Sequence, residues 1–76
     1  MWKIDSDGNA FNSKTNQFIG VHRDTIFGVP VFIVYMTIGK KGFKIIEVLT
    51  DEFAARNLVA EIVDKLREGV SHEETD

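Results

Sequence analysis

From Val29 to Ile38 the chain reads VPVFIVYMTI. In an extended strand side chains alternate, so Val31, Ile33, Tyr35 and Thr37 point one way and Phe32, Val34, Met36 and Ile38 the other. Both rows are apolar, which predicts a strand with something to bury on each side. Shorter strand-like stretches surround it. Trp2 to Asp5 reads as the first, and the Asp7-Gly8 pair that follows is a hairpin signal that sets Ile4 against Phe11, with Trp2 near the same face. Asn12 to Asn16 is a polar loop. Gln17 to His22 is a third strand, in which Gly20 marks a bulge or a close approach. Arg23 to Gly28 reads as a loop or turn. After the greasy strand, Gly39-Lys40-Lys41-Gly42 turns the chain into a fifth strand, Phe43 to Leu49. A turn of two or four residues there pairs Ile38 with Phe43, whereas one of three sends one strand's set to the opposite face.

The period changes after Thr50. Ala55, Leu58, Val59, Ile62, Val63 and Leu66 recur at helical spacing and form one stripe. Thr50 or Asp51 can cap this helix, Asp51 and Glu52 suit the positive end of its dipole, and Lys65 and Arg67 suit the other. Gly69 is a stop signal. The elements predict an α+β domain over residues 1–70. It is a small antiparallel sheet of about five strands, a meander or a half-closed barrel, followed by one C-terminal amphipathic helix packed on one face. Residues 71–76 read as an acidic flexible tail.

One helix covers one face of a sheet. The bulkier row, with Phe32, Val34, Met36, Ile38, Phe43, Ile45 and Leu49, is the expected core. Glu47 falls in the same row, and a buried carboxylate without a partner is costly. A bulge in this strand, or an edge position, removes the conflict. The row left over is Val31, Ile33, Tyr35, Ile46 and Val48, rimmed by Lys44 and Thr37. Either the first hairpin, with Trp2, Ile4 and Phe11, folds across it, or it is a protein interface. The simplest interface is a homodimer packed sheet to sheet or edge to edge. Phe53, on the helix side away from the stripe, joins this expected interface.

Composition narrows the function classes. A chain of 76 residues has room for one core. The net charge of −3 argues against a general nucleic-acid binder and against a protein held to anionic lipid by charge. Cysteine is absent, which excludes disulfides and thiolate chemistry. The N-terminus lacks a basic start followed by an apolar run, and the longest apolar run, broken by Pro30, falls short of the roughly 20 residues that span a bilayer. A cytoplasmic location with no membrane partner is the expectation.

Candidate chemistry is sparse. Asp5-Ser6-Asp7-Gly8-Asn9 resembles the start of a calcium loop, but an EF-hand needs Gly at its sixth position and Glu at its twelfth, and Ala10 and Asn16 stand there. His22-Arg23-Asp24 offers a base and a carboxylate without a placed nucleophile. The other histidine, His72, is too far along the chain to suggest a metal site. The expectation is a non-enzymatic interaction or regulatory module without cofactor or metal, which self-associates or docks on a larger protein. The alternative is a small binder of nucleic acid or anionic ligands. It uses Arg23, Lys40, Lys41 and Lys44, with His22 beside them, and predicts binding that falls steeply with salt.

Overall fold

A computed structural model of the chain, describing residues 1–75 and the side chains of residues 1–67, contains five strands and one helix. The strands are β1 (Trp2–Ile4), β2 (Ala10–Asn12), β3 (Gln17–Ile26), β4 (Val29–Ile38) and β5 (Gly42–Leu49). They pair antiparallel in chain order as one open sheet, and the helix α1 (Glu52–Thr75) follows. The expected α+β arrangement is therefore present as an open meander, without closure into a barrel. The expected acidic tail, residues 71–76, lies outside the described side chains; the backbone continues α1 past Gly69.

The first hairpin is built by Asp5. Its Oδ1 accepts hydrogen bonds from the N–H groups of Asp7 and Asn9 at 2.9 and 3.0 Å. Its own N–H donates to the Asn9 carbonyl, and its carbonyl accepts from the Gly8 N–H. These bonds hold Asp5 to Asn9 as the loop and pair Ile4 with Ala10, Lys3 with Phe11, and Trp2 with Asn12. The expected pairing of Ile4 with Phe11 is thus one residue out. A slip of one residue exchanges faces, so Phe11 turns away from Trp2, and Trp2 and Ala10 turn under the helix. Asn12, also buried, closes the next loop: its Oδ1 accepts from the N–H groups of Lys14 and Thr15.

The β4–β5 connection settles the question of the two apolar rows. Ile38 pairs with Gly42 and Thr37 with Phe43, so the loop is the three residues Gly39 to Lys41. This is the case that turns β5 over relative to β4. Phe43 and Ile45 consequently share the face of Tyr35 and Thr37, and Lys44 pairs with Met36 on the helix side. The ladder then slips: Tyr35 pairs with Ile45 but Val34 with Glu47, leaving Ile46 as the extra residue of a bulge. Ile46 turns to the helix side and packs against the core, while Glu47 stays exposed. The phase is restored by Leu49, which pairs with Phe32 and also packs on the core. The three-residue turn thus exchanges which isoleucine is inside, and the bulge returns Val48 to the outer face and Leu49 to the core.

Trp2, Ala10, Ile19 and Val34 from the sheet meet Ala55, Val59 and Val63 from the helix in the buried core. Leu58, Ile62 and Leu66 flank that line on α1, so the whole predicted stripe is in use. Asp51 is the cap: its Oδ1 accepts from the Phe53 N–H at 3.0 Å and its carbonyl from the Ala55 N–H. Further along the helix, the Arg67 guanidinium donates to the Trp2 carbonyl at 2.6 Å and ties the helix to β1.

Candidate protein interface

Alternation along β3 and β4 fixes the face away from the helix. From the β3–β4 turn inward, its cross-strand pairs are Ile26 with Val29, Asp24 with Val31, His22 with Ile33, and Gly20 with Tyr35. β5 adds Phe43, Ile45 and Val48, the last paired with Ile33. Of the residues expected on this face, Ile33, Tyr35 and Val48 are there. Val31 shares the row but is buried, and it lines a separate groove with Arg23, Pro30 and Glu52. Ile46 is on the other side, carried there by the three-residue turn. Phe53 is exposed in the first turn of α1, in the other layer of the molecule. Lys44 belongs to the helix side by its pairing, so it does not rim this face.

Sequence reasoning missed Phe18, Phe43 and Ile45 as outer-face residues. The ring of Tyr35 lies 6.0 Å from that of Phe18 and 6.0 Å from that of Phe43, centroid to centroid, the second pair edge to face. An aromatic row therefore crosses three strands. Gly20 lets it lie flat: a Cβ there would stand 2.5 Å from the Phe18 ring and 3.0 Å from the Tyr35 oxygen. The glycine in the predicted third strand is the available signal, and of its two readings, a bulge or a close approach, the second holds. Beside this row His22, Asp24, Ile33, Tyr35, Phe43 and Ile45 line an open groove of about 390 Å³. The first hairpin does not cover it, because Trp2 and Ala10 pack on the helix side.

At one end of this face the β3–β4 turn is unusual. Ile26 pairs with Val29, so Phe27 and Gly28 are the whole loop, and both have positive φ, 49° and 78°. That is the pattern of a type I′ turn, which favours Asn followed by Gly. Phenylalanine in this conformation costs about 1–2 kcal/mol. Its ring recovers none of this by packing, since Phe27 is fully exposed at 102%. Ile26 and Val29, about half exposed, continue the apolar tip.

The expected anion-binding residues are not gathered. Lys40 and Lys41 stand at the β4–β5 turn, whereas Arg23 pairs with Phe32, six residues back along β4 from Ile38, or about 20 Å at the usual rise of a strand. Arg23 is also occupied. Its Nη2 lies 2.9 Å from Glu52 Oε2, and Arg56 approaches the same oxygen at 2.7 Å. The hydrogen bond from Arg23, then that from Arg56, holds the Glu52 carboxyl below its ordinary value. A lowered folded-state pKa adds stability that is present above the unfolded-state pKa and lost as pH falls through the folded one. Glu52→Gln is therefore expected to flatten the acid limb of a stability-against-pH curve below the ordinary glutamate range and to leave its alkaline limb unchanged. Chemical denaturation at a series of pH values measures this.

Among the described residues no group of His, Asp and Glu is gathered as a metal site would require, and no helix is long and apolar enough to cross a membrane. Comparison with protein-family models, with curated proteins and with solved structures finds no match to this chain.

Proposed function

We propose that this chain is a non-enzymatic protein-interaction module, and that the sheet face away from the helix is its contact surface, for a second copy or for a larger protein. The observation that carries the reading is the aromatic and aliphatic row itself. Phe43, Ile45 and Val48 are 65%, 51% and 46% exposed while lying side by side with Ile33 and Tyr35. Burying such a side chain is worth roughly 1.5–3 kcal/mol, and soluble chains seldom leave a contiguous patch of this kind unused. The edges are weaker candidates. β1 has three residues, and β5 carries a bulge and Lys44, both of which discourage strand addition. The reading as an anion binder has less support, since Arg23 is paired and far from the lysine turn.

The test replaces Ile33 with glutamate. Association is expected to be abolished while the helical circular-dichroism signal persists. If the wild-type chain runs as a monomer, an apolar fluorescent dye reads the same face, and its binding is expected to fall in Ile33→Glu. Loss of the helical signal instead would make this row part of the core and end the proposal.

A further inference from the structure

We propose that the occupant of the outer face is a second copy of this chain, packed face to face about a two-fold axis, with the Phe27 tip of each copy reaching over the aromatic row of the other. This rests on the reading of that face as an interface. The face carries an apolar projection at the β3–β4 turn and an aromatic row further along the same strands. On β3 it carries an acid, Asp24, and a base, His22, in successive outer-face rows.

A two-fold axis lying in the interface across the strands reverses the order of rows in the partner. With the axis between the Asp24 row and the His22 row, Asp24 faces the partner's His22, and Ile26 and Val29 face the partner's Tyr35 above Gly20. Phe27, one step further out, then reaches the Phe18 end of the partner's aromatic row. Moving the axis onto the Asp24 row would set two carboxylates against each other, which like-charge repulsion opposes. Avoiding that clash favours the alignment in which the Asp24 carboxylate meets an imidazole, which can donate a hydrogen bond, and that alignment also places the apolar tip over the aromatic row.

The strain at Phe27 fits the same scheme. An exposed ring held at positive φ does nothing for the isolated domain, whereas a rigidly presented aromatic is the usual anchor of an interface. A lipid surface is the weaker occupant, because Asp24 stands beside the tip and the chain carries a net charge of −3. The three strands β3 to β5 offer a footprint about 14 Å wide and about 26 Å long. That is roughly 360 Å² per copy, or about 720 Å² for the pair before side-chain relief, below the roughly 1,000 Å² of a stable interface, so the dimer is expected to be weak and transient, with Kd in the micromolar range or above.

Sedimentation velocity from about 1 to about 200 µM spans the micromolar range and is run on the wild type, Phe27→Asn and Ile33→Glu. The wild type is expected to pass from monomer to dimer. Phe27→Asn is expected to weaken association at least roughly tenfold, and to leave the melting temperature unchanged or raised, because asparagine accepts the turn's backbone. Ile33→Glu is expected to stay monomeric. A wild type that is monomeric at every concentration overturns the second copy as occupant and leaves a larger protein for the face. A dimer broken by Ile33→Glu but indifferent to Phe27→Asn overturns the role of the tip and keeps the face as interface. A dimer indifferent to both variants overturns this proposal and the reading beneath it.

Discussion

Trp2→Ala is expected to lower the stability of the domain by about 3–5 kcal/mol, the range for removing a large buried aromatic. A chain of 76 residues has only about 4–11 kcal/mol in total, so the variant stands near the unfolding threshold. The reason is topological. Trp2 is 5% exposed because the Asp5 loop pairs Trp2 with Asn12 and turns both beneath α1. The helix also holds the backbone of β1, through the Arg67 bond to the Trp2 carbonyl. The first hairpin thus belongs to the same core as the long strands, although it has only three residues in each strand. Urea denaturation followed by circular dichroism measures the loss. A change below about 1 kcal/mol, ordinary for a surface substitution, would detach β1 from the core and return the first hairpin as a cover for the outer face.

The sequence carries enough information for the element order and for the helix, because both rest on long periodic runs. The stripe from Ala55 to Leu66 needs no partner to be recognised, and VPVFIVYMTI, rich in β-branched and aromatic residues, reads as a strand with two apolar rows. Register is different. Whether Phe43 and Ile45 lie inside or outside depends on whether the Gly39 turn has two, three or four residues, and every version reads the same in composition. The three-residue turn exchanges Ile45 for Ile46, and the bulge then restores the phase of Val48 and Leu49 with no local mark beyond the misplaced Glu47. That residue signals the irregularity correctly but does not say which neighbour moves. The same holds at the first hairpin, where the Asp5 carboxylate, by binding two backbone N–H groups, makes a longer loop than the Asp7-Gly8 pair suggests. The candidate site shares this limit. Ile33 and Tyr35 on β4 and Val48 on β5 were legible, while Phe43 and Ile45 depended on the length of the β4–β5 turn. The Phe27 tip fell in a stretch read as a loop, because a phenylalanine at positive φ has no sequence signature.

A paired substitution separates the two isoleucine environments. Ile19→Ala is expected to cost about 2–5 kcal/mol, because the side chain is fully buried, at 0% exposure, among Trp2, Val34 and Val59, and its loss leaves a cavity. Ile45→Ala removes the same atoms from a residue half exposed on the other face of the same sheet. There the surroundings include water, no cavity forms, and the expected change in the isolated monomer is within about 1 kcal/mol. Denaturation at low micromolar protein, where a weak dimer is dissociated, measures both values on equal terms. If the two costs are equal and large, both faces are buried in the folded monomer, and the outer row is a second core with no surface to offer. If the large cost falls on Ile45 alone, then β5 lies in the register that the sequence first suggests, with Ile45 rather than Ile46 under the helix. Only a large cost at Ile19 with a small one at Ile45 agrees with a three-residue turn, a bulge at Ile46 and an apolar face left free for a partner.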